Sequence, residues 1–319
     1  MSSPALQQSI LRRENRATGP LLVAAYVALY ASTLACMVRL GGFEAGEALG
    51  VFAVLGVGFS IIAWLVTIGI HPVAYQVRHP NAELTSLLVY MAPLAAFIAY
   101  GFTAIHHWVP GEPADSLAIL AAKLAIFVLL PAWMFTSRFG YKFRELAPIS
   151  AGVSQLAVIL GMALVLVAFQ AVAGRGLRDL AAAHVSASTL LFGTPLVFLW
   201  LVLEVGVVEE FFFRVLLQSR LAAALRSELG GIVLASLLFG LVHAPGLYLR
   251  TGVTQEGLSA HPSLGMAIGY SIVLTSVAGF FLGVLWARTR NFLVLVLVHA
   301  AGDLLPNLVP TLQAFHLVK

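Results

Sequence analysis

Charged side chains are scarce in this chain. Asp, Glu, Lys and Arg make up 10% of the 319 residues, whereas hydrophobic residues make up 60%. Soluble globular domains carry roughly a quarter of charged residues, so this composition excludes a soluble fold. The apolar residues occur in runs of about twenty, the length that an α-helix needs to cross a bilayer. The sequence therefore predicts an all-α, polytopic transmembrane helical bundle.

Other absences exclude whole classes of chemistry. The single cysteine, Cys36, rules out a disulfide framework and a zinc-ribbon cluster. The chain contains neither HExxH, the helix of zinc metalloproteases, nor GxSxG, the turn that carries a serine nucleophile. The basic residues form no cluster interleaved with surface aromatics, so nucleic-acid binding is not expected.

Apolar runs predict eight or nine membrane spans. They lie at 21–38, 49–70, 85–105, 117–136, 151–173, 194–218, 231–249, 265–287 and 291–305. The last run is short and stops at Pro306, which predicts a helix that reaches only partway across the membrane. Residues 306–319 would then form a C-terminal tail at the outer interface, and residues 1–20 a segment before the first span.

The basic residues predict the orientation of the spans. When loops alternate from a cytoplasmic N-terminus, twelve of the eighteen Lys and Arg fall on the inner side, beginning with Arg12, Arg13 and Arg16. Five fall on the outer side. The positive-inside rule therefore predicts a multi-pass protein of the cell inner membrane with its N-terminus in the cytoplasm.

Ionisable residues at membrane depth gather in the last third of the chain. An ionisable side chain within a bilayer costs at least about 2.5 kcal/mol and is a functional hypothesis by default. Three segments carry them: VEEFFFR at 208–214, FGLVH at 239–243 and HAAGD at 299–303. The helical rise puts Glu209, His243 and His299 at similar depth. We therefore expect these three residues to share a polar cavity in the inner half of the membrane, open toward the cytoplasm.

Spacing within the segments predicts two side-chain pairs. Glu210 and Arg214 are four residues apart, so they share a helix face and can form an ion pair, which leaves Glu209 as the candidate general base. A purely structural role for that ion pair is an equal alternative. His299 and Asp303 are also four apart, and the carboxylate is expected to fix the tautomer of the imidazole.

His243, Lys123 and Glu204 also have interpretations that involve no catalytic role. A lone His243 is more often a membrane histidine bonded to a carbonyl, although Phe239 shares its face and can wall a dry pocket against the ring. For Lys123 and Glu204 we favour an interhelical hydrogen bond or a snorkelling chain.

The three segments together resemble the motifs of one family. They match EExxxR, FxxxH and HxxxN or HxxxD, in that order, of the CAAX-protease and bacteriocin-processing family of intramembrane endopeptidases. The resemblance covers 194–305, which it identifies as a catalytic transmembrane core, whereas 21–193 carry no recognised motif.

The resemblance implies an endopeptidase that hydrolyses a peptide bond with activated water. It assigns water activation to Glu209 and His243, and oxyanion stabilisation to His299 and Asp303. The supporting residues are Glu210, Arg214 and Phe239.

Asp303 departs from the motif of many family members, which carry Asn at this position. An ionised Asp cannot donate a hydrogen bond to an oxyanion. Asp303 is therefore expected either to orient His299 or to be held protonated by its apolar surroundings.

The need for a metal ion stays open at this point. Glu209, His243 and His299 are ligand types that could form a catalytic zinc site. We favour a metal-free glutamate protease with no cofactor, because an arginine supports the glutamate pair.

Three kinds of membrane-anchored substrate fit the resemblance: a prenylated C-terminal CAAX tail, a bacteriocin or signalling-peptide precursor, or a C-terminal sorting tail in the bilayer. Two other classes of function remain alternatives. A proton-coupled transporter would be expected to show repeats in both halves, whereas the ionisable cluster lies at one end. A protease-like scaffold without turnover is also compatible with the sequence.

Overall fold

The structure is a computed structural model that describes residues 15–40, 43–249, 258–259 and 261–318. In this part of the chain nine helices are long and apolar enough to cross a membrane. They are α1 (Thr18–Leu40), α2 (Ala45–Val66), α3 (Pro80–Trp108), α4 (Ala114–Phe139), α5 (Val153–Ala173), α6 (Ala187–Leu225), α7 (Glu228–Leu249), α8 (Leu264–Thr289) and α9 (Phe292–Ala314). The predicted all-α, multi-pass bundle is confirmed.

Some of the charge on which the orientation depends lies outside the described residues. This applies to Arg12 and Arg13 in the predicted N-terminal segment, and to Arg250 and Lys319 on the predicted outer side. The cytoplasmic position of the N-terminus therefore stays a prediction.

The chain divides into two compact units. The first comprises the described residues of Met1–Ile61, Gln76–Ala99 and Leu216–Ala287, and the second those of Ile62–Tyr75, Tyr100–Val215 and Arg288–Lys319. The EExxxR and HxxxD segments lie in the second unit, whereas the FxxxH segment lies in the first.

The first unit has an apolar core closed by tyrosine hydroxyls. Tyr26 and Tyr30 of α1 are buried among residues of α7 and α8 such as Val233 and Val277. The Tyr26 hydroxyl lies 2.7 Å from Ser276 Oγ, and the Tyr30 hydroxyl donates to a backbone carbonyl at 2.8 Å. These bonds satisfy polar atoms that would otherwise be stranded in an apolar interior.

A buried ion pair also belongs to the first unit. Arg220, near the end of α6, donates from Nε to Glu83 Oε2 at 2.9 Å, and both side chains are fully buried. The other oxygen of Glu83 accepts the backbone N–H of His79 at 2.7 Å, at the beginning of α3. The pair therefore ties the first turn of α3 to the last part of α6.

In the second unit α6 packs against α9. Their apolar core consists of Val197, Leu201, Val205, Ala300, Leu308 and Leu312. The helix α6 contains two π-helical stretches, Val202–Val207 and Phe211–Gln218, on either side of the short α-helical piece Val208–Glu210. Such π-helical turns are rare and occur frequently at functional sites. The helix also continues to Leu225, beyond the predicted end of its span at 218.

The prediction that the last helix ends at Pro306 is wrong, because α9 continues through Pro306 to Ala314. A proline within a helix leaves the carbonyl four residues earlier without its partner. Here that carbonyl belongs to Gly302, and it accepts a hydrogen bond from Nε2 of Gln170 on α5 at 3.4 Å. The residues predicted to form a tail are thus mostly helical.

Candidate active site

A close approach of α6 and α9 brings two of the predicted motifs together. Gly206 of α6 lies against the backbone of Val296 on α9, so near that a Cβ at Gly206 would be 2.7 Å from the Val296 carbonyl oxygen. Only a glycine fits this contact. Glu210 follows Gly206 by about one turn, and His299 follows Val296 by about one turn. The contact therefore places these two side chains within reach of each other.

Arg214, Glu210 and His299 form a buried chain of polar contacts. Glu210 Oε1 lies 2.7 Å from His299 Nδ1 and 3.3 Å from Arg214 Nη1. The side chains of Glu210 and Arg214 are 0% and 1% exposed. An arginine in hydrocarbon requires an anionic partner, and Glu210 supplies it while also holding the imidazole. The predicted pairing of Glu210 with Arg214 is confirmed.

The other ring nitrogen of His299 faces two carboxylates. Nε2 lies 3.9 Å from Glu209 Oε2 and 3.7 Å from Asp303 Oδ2. The side chains of Glu209 and Asp303 are 18% and 36% exposed, in contrast to the sealed Glu210. The Nδ1 edge of the His299 ring thus faces a buried side, where it contacts Glu210. The Nε2 edge faces an accessible side, where two carboxylates lie within 4 Å.

The structure changes which carboxylate orients His299. The sequence spacing predicts Asp303, which does share a face with His299, but it is the carboxylate of Glu210 that accepts the hydrogen bond from Nδ1. Asp303 lies on the Nε2 side, beyond hydrogen-bond distance. Nothing in the spacing within either motif could indicate this contact, because Glu210 and His299 are 89 residues apart in the chain.

Adjacent glutamates in α6 therefore have different environments. Neighbouring residues of a helix point about 100° apart, so Glu209 and Glu210 cannot face the same way. Glu210 points into the packed interior toward Arg214, and Glu209 toward the accessible side. This division agrees with the predicted choice of Glu209 as the freer carboxylate.

His243 lies in the first unit, in a turn that interrupts α7 between Leu241 and Ala244. Its Nδ1 is 2.8 Å from the Phe239 carbonyl oxygen, and the two rings are in edge contact with centroids 5.1 Å apart. The structure thus shows the predicted contact between Phe239 and His243. It also shows the predicted hydrogen bond of His243 to a carbonyl oxygen. When Nδ1 donates to that carbonyl, Nε2 is the nitrogen that can accept a proton. The convergence of His243 with Glu209 and His299 stays a prediction.

Comparison with known protein families supports the same stretch of chain. Residues 191–305 match the family model described as type II CAAX prenyl endopeptidase Rce1-like. This segment is Rce1-like. The resemblance predicted from the three motifs is confirmed, whereas the catalytic core at 194–305 stays a prediction. No curated protein and no solved structure matches the chain.

The match and the apolar helices together indicate the general class of protein. The Rce1-like segment contains Glu209, Glu210, Arg214, Phe239, His243, His299 and Asp303. The match and the apolar helices support an integral, multi-pass membrane protein with a protease-like segment.

The need for a metal ion stays a prediction. Within the described residues, no three His, Cys, Asp or Glu side chains form a group that could hold a metal ion. The contact of His299 Nδ1 with Glu210 leaves Nε2 as the nitrogen that could bind one. The proposed reaction uses only groups of the chain itself.

Lys123, which lies outside the Rce1-like segment, also belongs to the second unit. The ammonium of Lys123, in the middle of α4, donates to Glu204 Oε1 of α6. The favoured interpretation of these two residues, an interhelical hydrogen bond, is confirmed, and it takes the form of an ion pair.

Proposed function

We propose that this protein is an intramembrane endopeptidase of the glutamate type, which hydrolyses a peptide bond near the C-terminus of a membrane-anchored protein. The observation that carries the proposal is the polar chain from Arg214 through Glu210 to His299, which ends beside Glu209 on an accessible side. The chain lies in the segment that matches a protease family.

Glu209 is the general base in the proposed reaction. Its Oε2 and His299 Nε2 are 3.9 Å apart, too far for a direct hydrogen bond but close enough for one water to bond to both. The carboxylate takes a proton from this water, and the hydroxide attacks the carbonyl carbon of the scissile peptide. The family motif gives His243 a share in this step, through its Nε2.

His299 stabilises the negative charge that develops on the carbonyl oxygen. With Nδ1–H donated to Glu210, the imidazolium form of His299 presents a second donor, Nε2–H, to the oxyanion. Arg214 keeps Glu210 in place. When the C–N bond breaks, Glu209 returns its proton to the departing amine nitrogen, which completes the hydrolysis.

Asp303 has a donor role in this proposal. Since Glu210 orients the ring, Asp303 is available to act as a neutral acid that donates a second hydrogen bond to the oxyanion. An asparagine, the residue of many family members, would donate from its amide in the same place.

The proposal includes a location and a substrate class. The distribution of Lys and Arg supports a cell inner membrane with the N-terminus in the cytoplasm. Among the three substrate classes, the description of the matched family favours a prenylated CAAX tail. Peptide precursors and C-terminal sorting tails are the alternatives that the experiment compares.

The experiment is cleavage in proteoliposomes of three probes: a farnesylated CAAX peptide, a leader-bearing peptide precursor and a single-span sorting tail. Glu209→Gln, His243→Ala and His299→Ala are compared with the wild type, and Glu44→Gln, an exposed glutamate of the first unit, is the matched control. We expect loss of at least about a hundredfold in the three variants and none in the control. Equal cleavage by all the proteins would remove the proposal.

A second arm tests the metal-free mechanism. The wild type is dialysed against a strong chelator, its metal content is measured, and cleavage is repeated. Activity that persists without zinc supports the glutamate mechanism, whereas loss that added zinc restores would overturn it.

A further inference from the structure

The ion pair between Lys123 and Glu204 is partly exposed, unlike the two buried ion pairs of α6, Glu210–Arg214 and Arg220–Glu83. Its side chains are 19% and 21% exposed, whereas Glu210 and Arg214 are sealed. Charged residues within membrane spans are rare and tend to mark functional sites. The exposure of this pair is similar to that of Glu209, whose side chain is 18% exposed.

The pair also lies close to the candidate active site within the second unit. The π-helical stretch Val202–Val207 brings residue i near residue i+5, so Glu204 lies about one turn before Glu209. One turn beyond Lys123, the ring of Phe127 packs on Phe212, with centroids 5.7 Å apart, so α4 is held against the motif-bearing part of α6.

The charges in this region are unfavourable to a substrate carboxylate without Lys123. Two carboxylates that are ionised in the proposed reaction, Glu204 and Glu209, lie on or near the accessible side. The guanidinium of Arg214 is buried against Glu210. Lys123 is the cation that is partly exposed beside these acids, and its ammonium has three N–H donors, so it can contact Glu204 and a second anion together.

We propose that Lys123 binds the free C-terminal carboxylate of the substrate, with Glu204 as its counter-ion in the unliganded protein. This inference rests on the proposed endopeptidase function and makes Lys123 a residue that selects for a chain terminus. Three extended residues span roughly 10 Å, so a carboxylate on Lys123 fits a scissile bond a few residues from the end of the substrate. Glu204 competes for the same ammonium and therefore limits the affinity.

The test uses two farnesylated peptides of the same sequence, one with a free C-terminal carboxylate and one with a C-terminal amide. Cleavage is measured in proteoliposomes for the wild type, Lys123→Met, Glu204→Gln and Glu209→Gln. We expect the wild type to prefer the carboxylate peptide by about tenfold in kcat/KM, mainly through KM. Lys123→Met should remove the preference, and Glu204→Gln should increase it.

A double variant controls for loss of folding in the single variants. Lys123→Met together with Glu204→Gln leaves neither partner as an unpaired charge in the membrane. This double variant should cleave without preference, whereas Lys123→Arg should retain it. Thermal unfolding of each variant in detergent identifies any that fails to fold.

The outcomes separate this inference from the proposed function. A wild type that cleaves both peptides equally, or a preference that persists in Lys123→Met and in the double variant, would overturn the role of Lys123 alone. Undiminished cleavage by Glu209→Gln would overturn the proposed function. Absence of cleavage of both farnesylated peptides by the wild type would overturn the role of Lys123 and the CAAX substrate, whereas absence of cleavage of all three probes would also overturn the proposed function.

Discussion

Replacement of Gly206 by alanine tests the contact that assembles the site. The added Cβ would lie 2.7 Å from the carbonyl oxygen and 3.2 Å from the Cα of Val296. These are backbone atoms that cannot rotate away, and ordinary contacts begin near 3.4 Å. The helices α6 and α9 must therefore separate locally by about 0.7 Å, a movement of the kind that overpacked cores resist.

The separation acts on a hydrogen bond one turn away. If it is transmitted fully, the distance between Glu210 Oε1 and His299 Nδ1 increases from 2.7 Å to about 3.4 Å, the limit for a hydrogen bond. Loss of a hydrogen bond to a charged group costs about 1.5–3 kcal/mol. We expect kcat of Gly206→Ala to fall about ten- to a hundredfold, with little change in KM, because the orientation of His299 matters in the transition state.

A second glycine supplies the matched control. A Cβ at Gly302 of α9 would meet only the methyl groups of Leu166, at 3.6 and 3.9 Å. Gly302→Ala should therefore keep its kcat. Both variants are assayed with the farnesylated carboxylate peptide in proteoliposomes, and their unfolding temperatures are compared in detergent. Equal kcat values for the two alanine variants would refute the argument that close helix approach aligns Glu210 with His299.

Three further predictions concern the buried charges and Asp303. Glu210→Leu should lower the free energy of unfolding by about 3–5 kcal/mol, because it removes the carboxylate that pairs with the buried guanidinium of Arg214. A stability equal to that of the wild type would contradict this prediction. Glu83→Leu should lower the free energy of unfolding by a similar amount, because it removes the carboxylate that pairs with Arg220. The measurement is denaturation in detergent, with Glu44→Gln as the control. An effect no larger than that of the control would argue against a stabilising role of the pair. Asp303→Asn should keep activity on the CAAX peptide, whereas Asp303→Leu should lose about tenfold or more; equal activity of the two would exclude a donor role.

Local features of the site could be predicted because they depend on the helical repeat alone. Glu210 with Arg214, and Phe239 with His243, are four residues apart, and each pair meets across one turn as expected. The choice of Glu209 as the accessible carboxylate also followed from its direction on the helix.

The misjudged end of the last helix has a tertiary cause. Pro306 predicts the end of a helix, because a proline removes one hydrogen bond of the helix in which it lies. The carbonyl that it leaves is bonded by Gln170, which is 132 residues away from Gly302 in the chain. A partner on another helix can satisfy such a group in a membrane protein, and no pattern near Pro306 indicates its presence.

Composition and periodicity by themselves predicted the membrane-spanning class, eight or nine helices and the candidate site residues, because polar groups in the hydrocarbon core must be satisfied within the protein. Only the tertiary structure decided that Glu210 holds His299 and that Lys123 pairs with Glu204. Those contacts depend on how closely α6 approaches α9 and α4, and that distance is set by side-chain volumes on separate helices, such as the missing Cβ of Gly206 opposite Val296.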